Sequence, residues 1–146
     1  QNKNKFILII NGPNLNMLGM REKEIYGTES LKNIENQSKS LGKELGLSVE
    51  CIQSNNEADL INFIQGANQK YAGIIINAGA FTHTSIAIRD ALSIFQGKKV
   101  EIHMSNVHKR EKFRHVSMLS DVCDGTIIGF GKNSYLLGLH AISNLI

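Results

Sequence analysis

The sequence predicts an α/β fold in which a parallel sheet is covered by helices on both faces. One continuous apolar run, residues 6–10 (FILII), lacks the alternation of a half-solvated strand and reads as a strand buried on both sides, and the largely apolar run 73–77 (GIIIN) reads as a further strand. Strand-like runs alternate with stretches of helical periodicity along the chain, the pattern of βαβ units. Both apolar runs lead into polar segments containing Asn and Gly, which suit loops at one rim of such a sheet.

The first strand, residues 6–10, opens into residues 11–27, NGPNLNMLGMREKEIYG. This stretch has no sustained helix or strand period and sets Arg21 and Tyr26 in a Gly-rich polar loop. Thr28 or Ser30 can then cap a helix in which Leu31, Ile34, Ser38, Leu41 and Leu45 recur at near-helical spacing, ending at Gly46. A strand follows over 47–53. Asn55 or Asn56 offers the cap of a second helix, with Leu60, Ile61, Ile64 and Ala67 on one face and an end near Tyr71. After the strand at 73–77, the small, polar segment 78–84 leads to a helix over 85–95. Residues 99–104 make a fourth strand, 105–114 a charged stretch with at most a helical turn, 125–130 a fifth strand, and the last helix begins near Ser134. With right-handed crossovers these units build a flavodoxin-like three-layer sandwich, its five-stranded parallel sheet in the order 2-1-3-4-5.

Composition narrows the function. The 146 residues suit one domain, 1–146, without a linker, and a single Pro and no visible repeat argue against disorder. A net charge of +3, from 16 basic and 13 acidic residues spread along the chain, gives no nucleic-acid footprint; the one dense cluster, Lys109, Arg110, Lys112 and Arg114, is interrupted by Glu111 and Phe113. Two cysteines, Cys51 and Cys123, are too few for a disulfide framework and read as reduced thiols in or near the core. The first apolar run is too short for a signal peptide, and none approaches a membrane span, so the expectation is a cytoplasmic protein without a membrane partner.

In doubly wound sheets, ligands bind beyond the carboxyl ends of the strands where the strand order switches. The distinctive polar residues fall there: Asn11 and Asn14 after strand one, Asn77 and His83 after strand three, and Glu101, His103, Ser105 and Asn106 around the end of strand four. Glu101 and His103 share one face of their strand, where a carboxylate fixes the imidazole tautomer and favours the imidazolium, a general acid. Arg21 could favour the phenolate of Tyr26, a base. Each residue also fits a plainer role: Arg21 a solvated charge, Tyr26 a packing aromatic, Glu101 and His103 a surface ion pair or a satisfied core histidine, His83 a helix-start residue. His108, His115 and His140 read as structural or solvent-facing. His103 and His108 lack a recognised metal-ligand spacing, and no GxxxxGK[ST] or GxGxxG follows a strand.

Three stretches, INGPNLNMLGMREKEIYG, INAGAFTHTSIAIRDAL and EIHMSNVHKREKFRHVS, with GKNSYLLGL near the end, resemble the signature regions of type II 3-dehydroquinate dehydratase in the same order. The resemblance implies a flavodoxin-like fold, no metal or cofactor, and a homododecamer built as a tetramer of trimers. The implied reaction is the loss of water from 3-dehydroquinate to give 3-dehydroshikimate, in the shikimate pathway. By motif position it further implies that Tyr26, held as phenolate by Arg21, removes a C2 proton. Asn14 positions a water against the enolate, and His103, paired with Glu101, protonates the departing C1 hydroxyl. Met104 and Ser105 take the substrate carboxylate, while Asn77, His83 and Arg114 fix its hydroxyls. Asp90 reaches a neighbouring subunit's site, and Arg110 is a supporting charge. Lys23 stands where the family often has proline, which implies a looser lid, and Met104 where a branched aliphatic is usual.

The alternative is a non-enzymatic flavodoxin-like binding module. A receiver domain would need acidic residues near the end of strand one, where this chain has Asn11 and Asn14, and a flavin carrier a Ser/Thr-rich loop in place of NGPNLNMLG.

Overall fold

The computed structural model describes residues 5–20, 22–26 and 28–146, without the side chains of Lys23 and Tyr26. Five strands, β1 (Phe6–Asn11), β2 (Ser48–Gln53), β3 (Gly73–Asn77), β4 (Lys98–His103) and β5 (Gly125–Ile128), form one sheet. All neighbours are parallel, and the order is β2-β1-β3-β4-β5, as expected of a flavodoxin-like α/β sandwich.

Side chains of β1 leave alternately by the two faces and enter two separate cores. Ile7 and Ile9 join Ile75, Val100 and Ile102 beneath α2 (Leu31–Glu44) and α5 (Asn133–Leu145). Leu8 and Ile10 join Ile74 and Ile76 beneath α3 (Glu57–Ala67) and α4 (Ile86–Ile94). Double coverage explains why β1 and β3 are apolar at successive positions rather than at every second one. Burial of each such Ile contributes about 1.5–3 kcal/mol.

The helices start where local chemistry satisfies their first N–H groups. Ser30 accepts from the Asn33 N–H, Asn56 from those of Ala58 and Asp59, and Ser85 from that of Ile88. Past α2, Gly46 takes a φ of 77°, the left-handed conformation that closes many helices. Boundaries differ from expectation where such signals are local. α3 ends at Ala67 because Asn68 begins a turn, and β5 ends at Ile128 because Gly129 has a φ of 98° and leaves the extended region. The described residues between β1 and α2 hold more local structure than their lack of period suggests. A 3-10 turn spans Leu15–Met17 and a single helical turn, α1 (Lys23–Tyr26), follows. The charged stretch after β4 holds short 3-10 turns at Val107–Lys109 and Lys112–Arg114, with a third at Ser120–Val122.

Chain order reverses between β1 and β3, so the crevice beyond their carboxyl ends is the topological switch point. Asn11 and Asn77 are paired in register there. The backbones approach closely: Gly12 N–H donates to the Asn77 carbonyl at 2.8 Å, and a Cβ on Gly12 would lie 2.3 Å from the Ala78 oxygen. Only glycine fits this position.

Candidate active site

A cavity of about 110 Å³ opens at this switch point. Asn14, Asn77, His83, His103, Met104, Ser105 and Arg114, drawn from the ends of three strands and the loops after them, all line it, together with Arg110.

The floor is a hydrogen-bonded polar group. Tyr135 of α5, 1% exposed, donates its hydroxyl to Asn11 Oδ1 (2.5 Å) and accepts from Asn77 Nδ2 (3.0 Å). Asn77 Oδ1 in turn accepts from the Gly79 N–H at 3.2 Å, which fixes the amide. Ser134, the preceding residue, donates to the His103 carbonyl at 3.1 Å, so the start of α5 ties together the ends of β1, β3 and β4. Burial drives the Tyr135 hydroxyl well above the usual phenol range, and it stays protonated.

On β4, His103 Nε2 lies 2.5 Å from Glu101 Oε2. Glu101 is fully buried, and its carboxylate also receives the hydroxyls of Ser117 (2.8 Å), Ser120 (2.5 Å) and Thr126 (3.3 Å). Burial alone would raise its pKa; the hydrogen bond and charge of His103, with the two serines, outweigh burial and hold it below the ordinary carboxylate range. Because Nε2 is committed to Glu101, Nδ1 is the ring nitrogen left to exchange a proton with a ligand.

The His83 ring stacks on that of His103, with centroids 6.5 Å apart. Its Nδ1 meets the Val116 carbonyl at 2.8 Å, and a carbonyl can only accept, so Nδ1 carries the proton and Nε2 is an acceptor. Burial first, and the nearby His103 and Arg114, depress the His83 pKa and keep it neutral. Asn14 takes a left-handed backbone (φ 71°) braced by Asn55, whose Oδ1 accepts the Asn14 N–H at 2.9 Å. Arg110 donates to Ser105 Oγ (3.3 Å) and reaches Glu22 of the 11–27 loop at 4.0 Å, while Arg114 pairs with Glu111 at 2.7 Å. The arrangement offers a neutral acceptor, an acid backed by a buried carboxylate, and two guanidinium groups for an anionic ligand.

Residues 5–143 match the family described as dehydroquinase class II. The chain belongs to the class II dehydroquinase family. It is 52% identical over 139 residues to the 3-dehydroquinate dehydratase of Rhizobium johnstonii, covering 95% of this chain and 96% of that protein. It is 54% identical over 141 residues to that of Clostridium perfringens strain ATCC 13124, covering 96% and 98%. Among solved structures, the type II dehydroquinase from Propionibacterium acnes superposes with a TM-score of 0.93 at 39% identity, covering 99% of both chains. That from Butyrivibrio crossotus also gives 0.93, at 47% identity over 95% of this chain and 97% of the other.

Two expected residues of this dehydroquinase-family chain lie, wholly or by their side chain, outside the described residues. Arg21 lies outside the described residues, and for Tyr26 only the backbone, in α1, is described. Asp90 is exposed on the outer side of α4, in line with Ile86 (57% exposed) and Ile94 (61%), and does not line its own chain's cavity. Sequence reasoning passed over Ser117, Ser120, Thr126 and Tyr135. Ser117 closes one of the resembling stretches and Tyr135 sits in another, GKNSYLLGL, which was the available signal. Among the described residues, no group of three or more His, Cys, Asp or Glu side chains could hold a metal ion, and no helix is long and apolar enough to cross a membrane. Cys51 and Cys123 are free thiols, and burial pushes each up to about 12.

Proposed function

We propose that this chain carries out the type II 3-dehydroquinate dehydratase reaction, anti elimination of water from 3-dehydroquinate through an enolate, in the shikimate pathway to chorismate and the aromatic amino acids. The observation that carries this reading is the His103–Glu101 pair at the switch-point cavity of a chain from the class II dehydroquinase family.

A proton alpha to a carbonyl is weakly acidic, so its removal needs a base together with donors aimed at the developing enolate oxygen. Tyr26, as phenolate beside Arg21, takes the C2 proton. Asn14 positions a water that donates to the enolate oxygen. His103 gives its Nδ1 proton to the departing C1 hydroxyl, and the buried Glu101 charge stabilises the imidazolium beforehand. The Met104 and Ser105 region takes the substrate carboxylate, with Arg110 as supporting charge, while Asn77, neutral His83 and Arg114 hold the ring hydroxyls. Residues 11–27 close over the site and exclude water. The reading uses no metal or cofactor.

Residues 1–146 act as one catalytic domain in a cytoplasmic homododecamer, a tetramer of trimers in which Asp90 completes a neighbour's site. The exposed Ile86 and Ile94 flanking Asp90 on α4 support a subunit contact there. A non-enzymatic binding module is not favoured, since the relatives that match nearly the whole chain are dehydratases.

Tyr26→Phe tests the division of labour. It should abolish turnover and leave 3-dehydroquinate binding, measured by calorimetry, within about threefold. A near-parental rate would remove Tyr26 as the base.

A further inference from the structure

The segment 116–121 has no part in the mechanism above, yet it holds both rim histidines. Its Val116 carbonyl accepts from His83, and its Ser117 and Ser120 hydroxyls reach Glu101, the partner of His103. The segment is itself fastened. Met118 N–H donates to the Thr82 carbonyl at 2.8 Å, and Arg89 of α4 donates to the Met118 carbonyl at 2.9 Å while gripping Asp121 with both terminal nitrogens.

The direction of the Ser117 hydroxyl follows from counting. Ser117 Oγ accepts two backbone N–H groups, from Leu119 (3.0 Å) and Ser120 (3.1 Å). A hydroxyl has two lone pairs and one proton, so the proton is left for Glu101 Oε2 at 2.8 Å. That same oxygen faces His103 Nε2. An oxygen receiving a fixed O–H and a ring N–H has no room for a proton of its own, and each of these donors favours the ionised group over an acid protonated on the other oxygen.

We propose that Ser117, assisted by Ser120, is a positioning residue for the dehydration: its oriented hydroxyl keeps Glu101 a carboxylate and so keeps the His103 Nε2–H in place, leaving Nδ1 to deliver the acidic proton. The inference rests on the reading of His103 as the acid. Glu101's depressed pKa, to which both serines contribute against the effect of burial, agrees with it.

Other titratable or charged groups around the pair are His83, His108, His115 and Arg114, which line a second cavity against it, and Arg110 in the first. The Cys123 thiol, raised by burial and then by the Glu101 charge, completes the set. Neither serine titrates, so their removal changes a pH profile only through these groups. Losing the Ser117 donor disfavours most the form with ionised Glu101 beside a neutral ring. The pair therefore keeps its last proton to higher pH. Part of the population also shifts a proton onto Glu101, which leaves a neutral imidazole too weak to serve as acid.

Ser117→Ala should lower kcat about tenfold, leave KM within about twofold, and move the alkaline limb of the kcat profile upward by about one pH unit. Ser117→Thr should restore both rate and limb, and Ser120→Ala should move the limb in the same direction by less. An alkaline limb that stays put in Ser117→Ala overturns the inference whatever the loss of rate, as does a loss carried by KM. If Ser117→Ala does not assemble, an unmoved limb in Ser120→Ala overturns it. His103→Asn separates the two levels: it should lose the limb with most of the rate, and a parental rate there would instead overturn the reading of His103 as acid.

Discussion

Glu101→Gln isolates the charge of the buried carboxylate from its shape. Four donors converge on the native group: His103 and Ser117 on one oxygen, Ser120 and Thr126 on the other. An amide offers one accepting oxygen and one donating NH2. The Ser117 hydroxyl cannot turn, because its oxygen already accepts two backbone N–H groups. The Gln oxygen therefore faces His103 and Ser117, and the NH2 faces Ser120 and Thr126, whose hydroxyls can rotate to accept it. The variant should fold, but the imidazolium loses its buried counter-charge, a loss of about 3 kcal/mol that corresponds to a kcat about a hundredfold lower. KM should stay within about threefold, because Glu101 lies beneath the cavity rather than in its lining. Steady-state rates of enone formation across pH measure both constants. A kcat within threefold of the parent, or a loss borne by KM alone, would refute the assignment of Glu101 as the charge behind His103. The same variant tests linkage. A carboxyl whose folded pKa is depressed contributes stability that is present above its unfolded value, here 4.5, and is lost as pH falls through the folded value. The parent should thus lose stability below about pH 4.5 more steeply than Glu101→Gln in acid-denaturation curves.

Other positions give sharper or broader readouts. Tyr135→Phe leaves the Asn11 and Asn77 amides without their shared hydroxyl, in a place where Asn11 Nδ2 already lacks a partner among the described residues. Urea denaturation at fixed protein concentration should show a loss of about 2–4 kcal/mol, with KM raised through the loosened Asn77; a loss under about 0.5 kcal/mol would mean that the hydroxyl holds nothing. Asp90→Ala should raise KM severalfold in the assembled protein, and an unchanged KM would reject the contact with a neighbour's site. If Lys23 makes the lid loose, protease should nick residues 19–27 in the free protein and be blocked by ligand; equal, negligible cleavage in both states would count against it.

How much could be read from the residues alone depended on the range over which each feature is encoded. β1 and β3 were plain because burial on both faces writes itself into consecutive positions, Ile7 to Ile10 and Ile74 to Ile76. α1 was missed because Lys23–Tyr26 is only one turn, too short to display a helical period. The Glu101–His103 pair was legible because a strand places i and i+2 on one face. Its hydroxyl cradle was not: Ser117, Ser120 and Thr126 arrive from 16, 19 and 25 residues away, brought in by the turn after β4 and by β5. Tyr135 is farther still from Asn11, a separation of 124 residues that only the packing of α5 under the sheet closes. Serine and tyrosine carry no signal of such partners until the fold supplies them.

The central claim is that a cavity built on β1, β3 and β4 eliminates water from 3-dehydroquinate with groups of the polypeptide alone. Assembled protein, treated with a chelator and free of added cofactor, should be mixed with 3-dehydroquinate while enone absorbance is followed. A rise that scales with protein concentration and is lost in Tyr26→Phe is the predicted result; a flat trace from well-folded oligomer would contradict the account.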